Sequence, residues 1–558
     1  MVFALLYTCI LSLILAVTAS EDTSAQLVCS DSSFRLSNVP GATVLSITTE
    51  EKKNVNTSAL PPLIPGANDV SFCGVKVYVT HPGTNDKVLI ETWLPLTQEA
   101  WNGRFQGVGG GGFATGLFEF GLGPAVQAGY AASSTDGGHP VDFIDATWLL
   151  NEDKSINYGL LNNFIAKSVA DMILVGKILA EQFYGKKPHH SYFSGCSQGG
   201  RQGYALAQRY PGLVDGILAS APALKFPGVV MAALWPHVAM RESGVLVSNC
   251  EFEWFDKKVM EACDILDGVI DGVIGDPDAC DFDLLALVGE SLECSGHAIE
   301  VTLPMAEMVQ KVRSGPKTPF GTVIWPGLAY GTSMKSLVNV SIDATGMRIM
   351  QPQTFLDNWV KVSLLKDLSF NTSALTYTEY LALWAQTEEE YSWIANCDSP
   401  DLSGFYEKGG KLLSWHGTSD SSIPYQTTTA YYDRVKTLTG GVVAVDEFYR
   451  LFLAPGVEHC GLGAGAAPAN ALEQLVKWVE ESEGPETLEA DKIEEKGQIV
   501  KKNLCRYPKR LKYLGLGDAK QASNWGCEEI DGYEDTNNEG YLGSFKDKLK
   551  HATFGMGF

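Results

Sequence analysis

Apolar and polar positions along the chain follow two periods that take turns. Val88 to Leu94 is strand-like, Trp101 to Gly112 runs into a glycine-rich loop, and Ala128 to Ser134 reads as a second buried strand. Asn162 to Phe183 then repeats its apolar positions at helical spacing. An apolar run up to residue 196 reads as a strand, Gly200 to Arg209 as a helix, and Val214 to Ala221 as another strand. This alternation predicts a parallel sheet covered on both faces. It stops near Pro222 and resumes at Gly409 to Trp415, followed by a helical stretch, a strand at about Glu447 to Leu453 and a helix at about Pro468 to Glu483. Residues 223–395 are too many for a loop inside a compact fold, so they are expected to form an inserted lid over the sheet's carboxyl edge. Residues 20–80 read as an N-terminal strap rather than a domain.

Composition narrows the setting. The chain has 558 residues and a formal net charge of -24, which disfavours nucleic-acid backbones and anionic lipid surfaces as partners. Residues 3–17 are almost wholly apolar and end in Val-Thr-Ala-Ser, which suits a secretory signal cut near residue 19 or 20. No Lys or Arg marks its start, so an uncleaved anchor stays open. The chain is therefore divided into a signal peptide (1–19), a discontinuous catalytic domain (20–222 and 396–527), a lid (223–395) and an acidic C-terminal extension (528–558). Of twelve cysteines, Cys9 leaves with the signal, and an odd number remains for an oxidising compartment. The sequons at Asn56, Asn339 and Asn371 fit secretion and glycosylation.

Gly195, Ser197 and Gly199 form a G-x-S-x-G after a strand-like run, the pattern of a nucleophile elbow and hence of an α/β-hydrolase fold. Cys196 precedes Ser197, and Cys460 follows His459. A serine and its base must lie within hydrogen-bond reach, and a disulfide needs its Cα atoms about 4.4–6.8 Å apart, so one geometry satisfies both chemistries. A Cys196 to Cys460 bond would clamp the histidine loop onto the elbow. In elbow folds the triad runs Ser, then acid, then His. That order leaves His459 and His551, and His551 lies in the tail. Asp420, after the strand ending at Trp415, is placed for the acid, with Asp401 and Asp398 as replacements. His416 is expected to shape the acid's turn. The oxyanion donors should be the amide of Gln198 and one from Gly109 to Gly112. That run lacks the Lys and Ser or Thr of a phosphate-binding loop. In the inserted segment, Asp264, Asp267 and Asp271 share one glycine-rich loop. The residues alone leave a calcium site and plain Asp-Gly turns equally open.

With these residues in hand, the chain resembles the tannase and feruloyl esterase family of secreted serine esterases. The resemblance rests on Trp101 to Phe105, Gly109 to Gly112, Tyr130 to Gly138, the Cys196-Ser197 elbow, Cys263 to Cys280, Trp415-His416-Gly417 with Asp420, His459-Cys460, and Cys505 to Cys527. It implies Gly111 as the early oxyanion donor, with Gly110 close behind. It implies structural Ca2+ held by Asp264, Asp267, Asp271 and the carbonyls of Val269 and Val273. It further implies disulfides pairing Cys29 with Cys73, Cys196 with Cys460, Cys263 with Cys280 and Cys505 with Cys527, which leaves Cys250, Cys294 and Cys397 unassigned. The implied substrates are small aromatic esters, hydroxycinnamoyl first and galloyl second, possibly attached to plant polysaccharide or polyphenol. Trp235, Trp254, Trp325, Trp359 and Trp393 of the lid could wall such a pocket or simply be core. An esterase or acyltransferase for a specialised metabolite, and a silent hydrolase fold used for binding, are the rival readings.

Overall fold

A computed structural model describes residues 27–529, apart from 38, 61–63, 336, 352–353 and 495–496. The leader 1–19 with Cys9, and the tail from 530 with His551, lie outside the described residues.

Nine strands form one sheet: β1 (Thr43–Val55), β2 (Val70–Thr80), β3 (Val88–Pro95), β4 (Arg104–Val108), β5 (Ala131–Thr135), β6 (His190–Cys196), β7 (Gly216–Ser220), β8 (Lys411–Gly417) and β9 (Tyr449–Ala454). They lie in the order β1-β2-β3-β5-β4-β6-β7-β8-β9. From β5 through β4 to β9 every pairing is parallel. The first part of the sheet departs from the expected parallel arrangement, because β1, β2, β3 and β5 pair antiparallel. Much of the expected strap is thus two sheet strands. β2 buries alternate residues, as a strand should, but β1 carries Glu50, Glu51, Lys52 and Lys53 and buries none of its side chains fully. Charges of this kind keep an edge strand from pairing with another chain, and they also dilute the alternation that would reveal it.

The parallel half fixes where the chemistry sits. Cys196 at the end of β6 pairs with Ser220 at the end of β7, Ser220 pairs with Trp415 of β8, and Gly417 pairs with Ala454 at the end of β9. The loops carrying residues 197, 420 and 459 therefore leave the same edge. Two helices support it. α1 (Ser168–Tyr184) buries one face against the sheet after a π turn at Asn163–Lys167, and α2 (Gln198–Arg209) starts at the elbow.

β7 and β8 are neighbours in the sheet, yet the long helical segment between them is inserted at that point. One of its helices, α3 (Tyr377–Ala395), opens with a Thr376–Glu379 capping box. Trp235, Trp325 and Trp359 are core residues here, Trp254 is half-buried, and Trp393 is 69% exposed, so none of the five was diagnostic of a pocket. After β9 come α4 (Ala471–Glu481) and two strands, β10 (Thr487–Ile493) and β11 (Ile499–Cys505), paired antiparallel.

Five disulfides cross-link the described residues. Four are the pairs implied by resemblance, and the fifth joins Cys250 to Cys294. Cys397 is free and buried, which accounts for the odd count among the described residues. Asn56, Asn339 and Asn371 are all exposed. Among the described residues no helix is long and apolar enough to cross a membrane.

Candidate active site

Ser197 sits at the turn from β6 into α2 with φ 62° and ψ -120°, a conformation that side chains normally avoid. Crowding enforces it. A Cβ on Gly195 would lie 2.5 Å from the carbonyl carbon of Gly199, and one on Gly199 would lie 2.8 Å from Gly110 O. Two backbones pass so closely only because both positions are glycine. The Ser197 amide donates to Ser220 O at 3.0 Å, which ties the turn to the next strand. The Gln198 amide, at the first turn of α2, has no hydrogen-bond partner among the described residues. It is a free donor at a helix N-terminus, as an oxyanion site requires.

The acid and base are joined directly. Asp420 is fully buried in the turn after β8, where its Oδ1 accepts from the amides of Ser422 and Ile423, both at 2.9 Å. Its Oδ2 accepts from His459 Nδ1 at 2.7 Å. Burial works against the charge on Asp420, but His459 and His416 outweigh it and hold the carboxyl well below the usual carboxylate range. Burial likewise disfavours the His459 imidazolium, and the Asp420 carboxylate overcomes this, so the ring's pKa is raised. His459 keeps 24% of its side chain exposed, so its outer edge remains accessible. With Nδ1 committed to Asp420, Nε2 is the nitrogen left for a proton-transfer partner.

The Cys196–Cys460 disulfide joins the residue before Ser197 to the residue after His459, with Cα atoms 5.9 Å apart. The described hydrogen bonds include none between Ser197 Oγ and the His459 ring. Catalytic contacts of this kind commonly tighten only with substrate bound. Cys460 is itself left-handed, at φ 58°.

Gly111, expected to offer the second donor, gives its amide to Ala114 O at 3.1 Å, and the Gly110 amide goes to Gln202 Oε1 at 3.0 Å. Both amides thus also help to shape the loop. Phe143 covers this loop: a Cβ on Gly111 would come within 3.2 Å of its ring, which is 37% exposed. The Phe143 loop is held to the insertion by Asn358 Nδ2, which donates to Ile144 O at 2.7 Å.

Three residues support the site, of which Arg201 and Gln202 were not singled out in the sequence and His416 was. Arg201 is fully buried on α2, and its Nε donates to Gln198 Oε1 at 2.8 Å, fixing the residue whose amide is free. Gln202 spans from Gly110 to Thr115 O, locking glycine loop to elbow helix. His416 is fully buried, receives or donates at Thr428 Oγ1 through Nδ1 (2.9 Å), and bonds Ile423 O (2.9 Å) and Asp420 Oδ2 (3.2 Å) through Nε2. It does shape the acid's turn, and it also touches the acid. The available signal was long polar side chains at the third and fourth positions after Gln198, set between glycines at 199, 200 and 203.

In the aspartate loop, Asp264 is buried and accepts from the amides of Gly272 (2.9 Å) and Asp271 (3.3 Å), curling the loop around it. Burial pushes Asp267 up to about 6, with Asp271 and Asp264 adding repulsion, and burial raises Asp271 too. One protein cation approaches, Lys502 Nζ at 3.8 Å from Asp271. Clustered hard oxygens with this much uncompensated charge fit a cation such as calcium. Among the described residues the one trio of His, Cys, Asp or Glu with ligand atoms all within 4.8 Å of one another is His189, His190 and Glu480, so the loop's carboxylates are gathered but not closed up. That trio is no rival, since both Glu480 oxygens are taken by Arg104 (2.6 and 2.7 Å) and one also by Tyr192 (2.7 Å).

Comparison with known proteins gives one consistent answer. The family model described as "Tannase and feruloyl esterase" matches residues 73–528. A "Probable feruloyl esterase" of Arthroderma benhamiae is 42% identical over 495 residues, covering 88% of this chain and 91% of that one. Among solved structures, a tannin acyl hydrolase from Aspergillus niger superposes with a TM-score of 0.81 at 25% identity, covering 90% of this chain and 95% of its own. Feruloyl esterase B from Aspergillus oryzae gives 0.72 at 25% identity, covering 88% and 97%.

If the disulfide sets the approach of His459 to Ser197, replacing Cys196 and Cys460 together by Ala should lower kcat on an activated ester by about 10–100-fold while changing KM much less. Steady-state kinetics on the folded double variant checks this. An unchanged kcat would show that the clamp is dispensable.

Proposed function

Because this chain belongs to the tannase and feruloyl esterase family, and is accordingly a carboxylic ester hydrolase of the α/β-hydrolase fold, we propose that it cleaves esters of phenolic aromatic acids through an acyl-enzyme on Ser197. The observation that carries the reading is the His459–Asp420 pair at 2.7 Å, on a loop covalently tied to the residue beside the elbow serine. Ser197 Oγ attacks the ester carbonyl carbon and passes its proton to His459 Nε2, and Asp420 stabilises the resulting imidazolium. The oxyanion that forms is met by the Gln198 amide. Sharing of the Gly111 amide between Ala114 O and the oxyanion would add the second donor. Collapse of the intermediate breaks the ester C–O bond, and the proton on Nε2 goes to the departing alcohol. Water then attacks the acyl-Ser197 ester by the same route in reverse, releasing the acid. Phe143, half-open above the glycine loop, is placed to lie against a flat acyl group.

Feruloyl esters are the first assignment, after the feruloyl esterase relatives. Galloyl esters are the second, favoured by the 0.81 TM-score to the tannin acyl hydrolase. In this reading the enzyme is secreted, carries glycans at Asn56, Asn339 and Asn371, and meets its ester on plant polysaccharide or polyphenol. A calcium ion bound by Asp264, Asp267 and Asp271 and the carbonyls of Val269 and Val273 would neutralise the loop and hold the insertion's shape. The ester chemistry does not pass through it.

Parallel kinetics on methyl ferulate and methyl gallate tests the substrate class. The expected outcome is a kcat/KM for ferulate at least about tenfold above that for gallate, equivalent to about 1.4 kcal/mol of transition-state preference. The opposite ranking assigns the enzyme to gallate esters. Cleavage of neither, with turnover of another ester, removes the phenolic assignment. For the metal, EDTA should lower the Tm by about 2–4 °C or more, with recovery on adding Ca2+ to the wild type but not to Asp267→Asn. A Tm indifferent to EDTA and calcium would contradict the site.

A further inference from the structure

Trp393 has no place in the catalytic site or the core. It projects from the last turn of α3 with 69% of its surface exposed, in a chain whose other lid tryptophans are wholly or half covered. Its orientation is nevertheless fixed, since the indole Nε1 donates to Glu390 O at 2.9 Å. Tyr158, 46% exposed, stands beside it with ring centroids 6.2 Å apart and planes tilted by 32°. The two rings are in contact and both are open to solvent, so together they make one aromatic patch. Burying neither ring forgoes stabilisation that a core position would supply.

The neighbouring side chains narrow the ligand. Glu389 lies one helical turn before Trp393 on the solvent face of α3, and the half-buried Gln386 one turn before that. Glu389 can accept hydrogen bonds beside the rings, whereas the Gln386 amide already donates to Glu390 Oε1 at 2.8 Å and keeps its carbonyl oxygen to accept with. Two rings fall far short of the area, about 1,000 Å² or more, that a specific protein interface buries. The run Glu388-Glu389-Glu390 and the formal net charge of -24 repel anionic lipid surfaces and acidic polymers. A neutral sugar chain fits both features: its C–H faces lie on aromatic faces, whose negative quadrupole attracts them, and its hydroxyls reach the polar margin.

The position also relates to the chemistry. Tyr158 follows the loop that carries Phe143 over the glycine run and Ile144 onto Asn358. We propose that the Trp393–Tyr158 surface is a binding site for a neutral polysaccharide chain, holding the polymer on which the scissile ester is carried. The assignment rests on the ester-hydrolase reading above, with the ester attached to a polymer.

Binding and catalysis are separable in the test. Affinity electrophoresis of the full chain through gels containing soluble neutral arabinoxylan, and separately polygalacturonate, reads retention directly. Wild-type protein should be retarded by the neutral polymer and not by the acidic one. Trp393→Ala with Tyr158→Ala should weaken that retention by about tenfold, the scale expected for losing two aromatic contacts. Trp393→Phe should keep part of it. Methyl ferulate kinetics should stay within about twofold of wild type in both variants, and thermal melts verify folding. Equal retention of wild type and double variant, or none by the wild type, overturns the sugar site. Loss of methyl ferulate turnover in the wild type itself would instead overturn the phenolic-ester reading, leaving the retention result to stand alone.

Discussion

Ser197 and Cys460 are both held in left-handed backbone conformations, at φ 62° and 58°, and one disulfide lies against both. Conformations of this kind cost about 1–3 kcal/mol each and last only where the surroundings overdetermine them. The Cys196–Cys460 bridge spans 264 residues of sequence. By chain-entropy reasoning such a closure contributes at most roughly 5 kcal/mol, a size able to offset both strained residues at the place where the strain resides. The same bond removes the freedom of the histidine loop to drift from the elbow. One covalent constraint thus serves both the fold and the placement of the His459 loop beside the elbow.

Around that constraint the polar groups are arranged to waste little. Asp420 is buried with protein donors on both oxygens, so its charge is compensated within the fold. The buried Arg201 ends on Gln198, Phe164 O and the free Cys397, and lies 5.5 Å from the Phe164 ring. Through Gln198 it reaches a helix-terminal amide that has no partner among the described residues. Gln202 does the equivalent work for the glycine loop. The elbow, the acid turn and the glycine loop are each fixed by buried side chains, and loops anchored this way lose less entropy when substrate arrives.

Much of this was legible in the sequence, for identifiable reasons. The elbow, Asp420 and His459 stood out because chain order, glycine spacing and paired cysteines all constrain the same contact. The parallel half of the sheet was visible because its strands are buried on both faces and read as apolar runs. β1 was missed because an edge strand carries charge where a buried one carries Val or Ile. The Cys250–Cys294 bond has no neighbouring chemistry to announce it. That the Gly111 amide bonds Ala114 O was not legible, because spacing does not encode that turn. Trp393 was grouped with buried tryptophans because composition does not reveal which face of a helix meets solvent.

The account turns on Ser197 being activated by His459, and active-site labelling with a serine-directed fluorophosphonate reads this directly. Peptide mass spectrometry of the folded wild type should find one adduct, on Ser197, with the labelling rate falling at least about 100-fold in His459→Ala. An unlabelled Ser197, or labelling equally fast without His459, would contradict it.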